Sequence, residues 1–478
     1  MNTSNVGVVS YGVHVPIWRL DRAEIGKTLG TPSGRGTRAV AGFDEDSTSM
    51  GVEAGLSALD GRPDPDALVF ATATPGYADK TNASIVHAAL ALSPSAPAYD
   101  MVGAPRSAMG ALVAATDAAH AGRRTLVVAS DIRTGLPASA EERDGGDAAA
   151  AALLGSGDDV VGAVLGRGSA SAEFLDRWRI PGDQATRVWE ERFAEGIYTE
   201  LVTDAVDAAL KDSGLTRADV SHVAVAGVHR RAVGSTTRML AKDATVVDDL
   251  AGVVGATGTA APGLLLASFL DAADPGQTLL LVHLGDGVDA VIVRATAALP
   301  AYRSDRARPT LARQLGTTRA VDYARFLTWR GFVHREPPRR PDPDRPAAPP
   351  SARRADWKFG LSSSRCTDCG TRHMPPIRVC RSCHSVDHMT RERIVGEHGT
   401  IATYQADLLA YTLSPPLIAA AVDFAGGRLM CEITDADPAA LRIGDRVEMT
   451  FRRLYTTTDG VHNYFWKARP VAAAGKDA

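Results

Sequence analysis

The first 365 residues of this 478-residue chain contain no cysteine, and all five cysteines lie at position 366 or later. A nucleophilic thiol, a disulfide framework and a cysteine-bound metal are therefore excluded from that whole stretch. Lysine is also scarce, so nearly all the positive charge is arginine and single arginines carry little information. The net charge of −4 gives no general attraction to nucleic acid or to an anionic membrane. No uninterrupted apolar run approaches the roughly 20 residues that span a bilayer. The first residues lack a basic segment followed by a long apolar core, which predicts no secretory signal. What remains is ordinary for a soluble globular chain, with 45% hydrophobic and 23% charged residues. The length predicts about two to four domains, each able to bury a core.

Four of the cysteines form two pairs, Cys366-Thr-Asp-Cys369 and Cys380-Arg-Ser-Cys383, separated by ten residues. Each pair can aim two thiolates at one metal from a tight turn, and four thiolates in tetrahedral array suit Zn²⁺. The spacing resembles a zinc ribbon, set against the alternatives of two disulfides or unrelated thiols. His384 follows the last cysteine, but a fourth sulfur makes it unnecessary. A closed four-cysteine site leaves no position for substrate, so the expected metal is structural. Reduced cysteines of this kind predict a cytoplasmic protein.

Before residue 300 the chain alternates short apolar runs with helical patterns. Strands are expected at Ala67–Thr74, Thr125–Ser130, His222–Gly227 and Thr278–Leu284, and helices at Asn82–Leu92, Ala108–Ala121, Tyr198–Ser213 and Pro262–Ala273. That order predicts an α/β fold with buried sheets. Two Gly-Asp turns, Gly145-Gly-Asp147 and Gly285-Asp-Gly287, close two similar halves and suggest an internal duplication. Residues 306–335 read as a basic, aromatic helical segment, and 336–350 as a Pro-rich extended tether. Five short strands after residue 398, with turns at Gly426-Gly427 and Asp459-Gly460, predict a small barrel of the OB type.

The opening Val6-Gly-Val-Val-Ser-Tyr-Gly-Val-His-Val-Pro16, the helix start Asp44-Glu-Asp-Ser-Thr48 and the two Gly-Asp turns resemble the thiolase superfamily. The likeness is to its hydroxymethylglutaryl-CoA synthase and ketoacyl synthase III branches, over roughly residues 5–300. The ribbon and barrel, with Gly399-Thr-Ile401, Pro415-Pro-Leu-Ile418 and Leu441-Arg-Ile-Gly-Asp-Arg-Val447, resemble the DUF35 family, whose members are associated with acyl-CoA. The resemblance implies a fusion: a thiolase-like first half at 1–165, its second half at 166–300, a basic segment and linker at 301–355, a zinc ribbon at 356–392 and an OB barrel at 393–478.

Thiolase-type chemistry uses a cysteine at a helix N-terminus, with a histidine and a third polar group for protons and the oxyanion. Matching the trailing Gly110-Ala-Leu112 puts Pro105 at the cysteine's place. Ser107 is the nearest hydroxyl, a weak nucleophile unless a base adjoins it. The resemblance puts Ala73 where the synthase branch has its acid and Ala256 where the family has its asparagine. His229, just after a buried strand, falls at the family's histidine, with a backbone-satisfied structural role as the alternative. His222 and His283 read as core residues, and the aromatic strand around Trp466 as core packing.

The expectation is therefore an acyl-CoA-binding, synthase-like component of a carbon–carbon bond-forming acyltransferase assembly. It lacks its cysteine, relies on a separate thiolase-like protein, and takes a coenzyme A thioester as substrate or ligand. The alternatives are a stand-alone non-covalent acyltransferase or lyase using His229 as base, with Ser107 or the bound thioester directly, or a non-catalytic acyl-CoA binding module. A homodimer or higher oligomer is expected by resemblance, and neither nucleic acid nor membrane is expected as a partner.

Overall fold

A computed structural model describes residues 5–32, 34–336 and 347–471. The chain divides into two compact units. The first comprises Met1–Ala41, Asp46–Val86 and Leu92–Arg330, and the second Gly42–Glu45, His87–Ala91 and Gly331–Ala478.

Ten strands build the sheet of the first unit. They are β1 (Val6–His14), β2 (Ala67–Thr72), β3 (Ala98–Val102), β4 (Thr125–Asp131), β5 (Ala148–Ser156), β6 (Gly162–Ala170), β7 (His222–Gly227), β8 (Thr245–Val246), β9 (Thr278–Leu284) and β10 (Val288–Ala295). Their order is β8-β7-β9-β10-β6-β1-β5-β4-β2-β3. Read outward from the β1–β6 seam, each half repeats one pattern. The innermost strand is antiparallel to its neighbour, that neighbour is antiparallel to the next, and the last two join in parallel. The duplication suggested by two Gly-Asp turns is thus visible in strand order and direction.

β4 and β9 are buried along their whole length, as their near-continuous apolar runs require. Residues 279 and 281 of β9 turn to one hydrophobic cluster, and 280, 282 and 284 to another, the two-residue period of a strand with cores on both faces. Five helices matter for the site: α1 (Ser47–Ala58), α2 (Ser107–His120), α3 (Glu191–Ser213), α4 (Arg230–Leu240) and α5 (Ala261–Ala272). Apolar residues of α2 and α5 meet in one cluster with strands of both halves, and α3 packs on the second half. α1 starts with a reciprocal capping box between Asp46 and Ser49.

The expected basic helical segment after residue 305 is made of several short pieces. Leu299–Asp305, Leu311–Gly316 and Tyr323–Trp329 are helical, and Arg319–Ala320 pairs in parallel with Trp18–Arg19. Two of its arginines are internal ties rather than a solvated face. Arg306 meets Asp271 at 2.8 Å and covers the Tyr11 ring, while Arg330 pairs with buried Asp147. The tether at 336–350 falls largely on residues 337–346, which lie outside the described residues. Its end departs from the extended expectation, because Ala348–Arg353 forms a helix with proline in its first turn, where a missing N–H costs nothing.

In the second unit β11 (Ser362–Cys366), β12 (Arg372–His373) and β13 (Met389–Arg393) form a small antiparallel sheet around the four cysteines. β14 (His398–Asp407), β15 (Leu417–Phe424), β16 (Gly427–Ile433), β17 (Arg446–Thr456) and β18 (His462–Pro470) close a barrel in the order β14-β15-β16-β18-β17. Trp466 is fully buried, packs on Phe451 and donates from Nε1 to the Phe359 carbonyl at 2.8 Å. Buried Arg452 pairs with Glu45 and Asp435, both at 2.6 Å.

Asp147 concentrates the polar load of the first unit. Fully buried, its carboxylate accepts from the backbone N–H groups of Ala41 (2.7 Å) and Arg133 (2.9 Å) and pairs with Arg38 and Arg330. Removing it strands two buried guanidinium groups, so Asp147→Ala should cost about 3–5 kcal/mol of stability. Urea unfolding against the parent chain checks this, and a loss below about 1 kcal/mol would contradict it.

Candidate active site and metal centre

The start of α2 is where the sequence reading places the missing nucleophile. Pro105 is buried there, and Ser107 is the first helical residue, half-buried. Its backbone N–H donates to the Ala104 carbonyl at 3.0 Å. No base stands within hydrogen-bond reach of the Ser107 hydroxyl among the described residues.

Between them, Arg106 carries the densest polar contacts of the region, and sequence reasoning passed over it. Its Nε donates to Asp289 Oδ2 at 2.8 Å, and its terminal nitrogens reach Ser169 (2.9 Å), Ser171 (2.8 Å) and the Asp286 carbonyl (2.9 Å). Every guanidinium donor is satisfied by the chain itself, so Arg106 ties the start of α2 to β6, β10 and the turn before β10. Gly287 in that turn has φ +131°, and a Cβ there would lie 2.3 Å from Arg106 Nη1.

His229 caps α4, its Nδ1 accepting from the Ala232 N–H at 3.0 Å. Its ring is 2% exposed and lies edge-on to Tyr198, 5.8 Å between centroids. Because Nδ1 accepts, the neutral ring carries its proton on Nε2 and is a hydrogen-bond donor there. A cleft partly open to solvent adjoins its flanking residues, lined by Gly227, Arg230, Asp249, Gly255, Ala256 and Thr257. The structure therefore brings Ala256 beside the flanks of His229, whereas His229 itself and Ser107 are both absent from that lining.

At Ala73 the polar work passes to a residue the sequence reading missed. Asp131, at the end of β4, accepts from the Ala73 N–H (2.7 Å), the Thr72 hydroxyl (3.1 Å) and the Thr259 N–H (2.8 Å). Its carboxyl is fully buried, which pushes its pKa up. The available signal was an acid closing an otherwise apolar strand.

The four cysteines come together. One sulfur from each of Cys366, Cys369, Cys380 and Cys383 lies within 4.8 Å of the others, and the cluster could hold a metal ion. The 366–383 and 369–380 sulfur pairs stand 3.5 Å apart, far beyond a disulfide bond. Zn–S bonds of about 2.3 Å imply tetrahedral sulfur separations near 3.8 Å, so the donor set fits such an ion. Outer contacts suit thiolates: Thr371 Oγ1 is 3.2 Å from Cys369, Ser385 Oγ 3.3 Å from Cys383 and His373 Nε2 3.4 Å from Cys380. Hydrogen bonds from Thr371 draw the Cys369 thiol down to about 6. His384 stays outside the cluster, its N–H on the Cys380 carbonyl at 3.0 Å.

Residues 393–452 match the family described as the C-terminal OB-fold domain of ChsH2. Hydroxymethylglutaryl-CoA synthase of Pyrococcus horikoshii is 27% identical over 334 residues, 67% of this chain and 95% of that one. The same enzyme of Methanothermobacter thermautotrophicus is 28% identical over 342 residues, covering 68% and 98%. The solved structure of MvaS in complex with 3-hydroxy-3-methylglutaryl coenzyme A superposes with a TM-score of 0.59 at 23% identity, covering 68% of this chain and 91% of that one. For 3-oxoacyl-(acyl carrier protein) synthase III of Pseudomonas aeruginosa PAO1 the TM-score is 0.55 at 24% identity, covering 61% and 98%.

This chain is a thiolase-fold protein fused to an OB-fold domain. Its relatives are condensing enzymes that use acyl-CoA.

In the thiolase-fold part, His283 sits on β9 fully buried, with both ring nitrogens unpartnered. Burial lowers its pKa from 6.5 to about 4. Above pH 6.5 the ring is neutral whether the chain is folded or unfolded. As pH falls from there toward 4, the unfolded chain gains a proton that the folded chain refuses, so stability is lost across that window. The stability difference between His283→Leu and the parent chain should therefore shift in favour of the variant as pH drops from 6.5 to 4. Denaturation midpoints across that range measure it, and a pH-independent difference would refute it.

Proposed function

We infer that the chain is an acyl-CoA-binding, synthase-like component of a carbon–carbon bond-forming acyltransferase assembly, in which a partner thiolase supplies the cysteine. The observation that carries this reading is the start of α2: no cysteine exists before residue 366, and Pro105 stands at the position where the family resemblance expects one. Ser107 lacks a neighbouring base, so it does not replace the thiol. His229 supports no role as base, since its Nδ1 is taken up by the Ala232 N–H. A stand-alone lyase with His229 as base would need the opposite tautomer. The cleft lined by Gly227, Arg230, Ala256 and Thr257 is the site for the thioester end of the coenzyme A ligand.

The four-cysteine cluster is a structural Zn²⁺ site within a zinc ribbon, held by Cys366, Cys369, Cys380 and Cys383. A homodimer or a pairing with the thiolase-like partner is supported by β3, an edge strand whose Tyr99 and Val102 are 60% and 48% exposed. Among the described residues, no helix is long and apolar enough to cross a membrane, and reduced cysteines suit the cytoplasm.

The purified chain should bind acetyl-CoA in a calorimetric titration and release no CoA from it. CoA release should appear when a thiolase carrying the nucleophile is added. Steady release by the chain alone, abolished in His229→Ala, would overturn the reading. Metal analysis should return about one zinc per chain, and Cys366→Ser should lose the metal and unfold the ribbon locally. A metal-free preparation with an intact ribbon contradicts the zinc assignment.

A further inference from the structure

Gly42, Phe43, Asp44 and Glu45 belong to the second compact unit, although the chain on either side of them belongs to the first. Buried charges of the barrel hold this turn. The Arg453 N–H of β17 donates to the Asp44 carbonyl at 2.9 Å. Arg452 pairs with Glu45 and with Asp435, each at 2.6 Å, and Lys467 of β18 meets Asp44 at 3.0 Å. The Lys467 ammonium also covers the Phe43 ring, 5.0 Å from its centroid.

The buried charges do not balance. Asp44, Glu45 and Asp435 bring three carboxylates to two cations, Arg452 and Lys467, and none of these side chains is more than 8% exposed. Glu432 of β16, at the rim, adds a further carboxylate 2.7 Å from Lys467, while Arg469 of β18 is engaged by Glu448 at 2.7 Å. A surplus buried carboxylate is costly, and a proton removes that cost.

Asp435 is the acid with the fewest ties. Asp44 also accepts from the Thr434 hydroxyl at 2.9 Å, and Glu45 from the Gly42 N–H at 2.8 Å. Among the described residues, Arg452 is the single hydrogen-bond donor to the Asp435 carboxylate. Burial pushes the Asp435 pKa above its ordinary 3.8, a rise that Arg452 and Arg469 oppose and Glu45 and Asp44 reinforce.

We propose that this cluster is a proton-dependent latch: with a proton on Asp435 the barrel holds the 42–45 turn, and loss of that proton releases it. The latch stands independently of the acyl-CoA reading. In the opened turn the carboxyl returns to its ordinary range, so the contribution of Asp435 is complete below 3.8 and is lost as pH rises through the raised value.

Amide hydrogen exchange of the full chain from about pH 5 to about pH 9, corrected for intrinsic exchange and read at single residues, tests this. Protection of the Arg453 amide and of residues 43–45 should fall about tenfold per pH unit above the raised value, because each opening releases one proton. Amides of β15 should keep their protection throughout. Asp435→Asn, a neutral isostere that tolerates the φ of +55° at this position, should hold the protection of the turn constant. Constant protection in the parent chain overturns the latch, as does a slope that persists in Asp435→Asn. An equal slope at β15 overturns it too, since the whole barrel is then opening. If Asp435→Asn does not fold, the slope in the parent chain and its confinement to the turn decide.

Discussion

Two residue pairs join the halves of the sheet: Gly7 with Ala163, and Val8 with Gly162. The backbones approach so closely there that a Cβ on Gly7 would lie 2.1 Å from the Gly162 carbonyl oxygen. Everything else follows from that seam. With β1 and β6 side by side, two copies of one strand pattern run outward in opposite senses, and α2 and α5 are left to pack together in one shared cluster. The start of α2 then meets the turn before β10, which belongs to the other half. A site assembled from both halves is the direct consequence.

That junction is built from charge rather than from a reactive sulfur. Arg106 crosses from the first half to Asp289, Ser169 and Ser171 of the second, with every donor used. Asp131 spans Ala73 and Thr259, and Asp147 spans Ala41, Arg133 and Arg330. Ties of this kind hold positions tightly and leave few groups free to move protons. His229 is similarly committed, since its Nδ1 caps α4. The chain thus retains a shaped, pre-organised cleft whose side chains donate and position. No thiol is encoded before residue 366.

Much of the fold was legible because its elements carry strong local signals. β15 spans the residues expected for it, Leu417–Phe424, and the largely apolar β4 and β9 could be read from composition. The cysteine spacing announced a cluster that the chain brings together. The stretch after residue 305 was read only as a basic, aromatic helical segment, and the places its side chains reach were not legible. Their actual partners are Asp271, Tyr11 and Asp147, between 35 and 295 positions away in sequence, and no local pattern reveals them. The site was legible only as a set of missing groups. Arg106 and Asp131 escaped notice because a single arginine or aspartate carries no period, and their importance arises from groups that the duplication brings together.

The central claim is that an acyl group resides in this fold without a covalent bond to it. Mixing the purified chain with acetyl-CoA labelled in its acetyl group, quenching in acid and counting label on the denatured protein tests that claim most directly. The account predicts label that washes away completely on unfolding. Stoichiometric label surviving denaturation on any residue of the thiolase-fold part would contradict it.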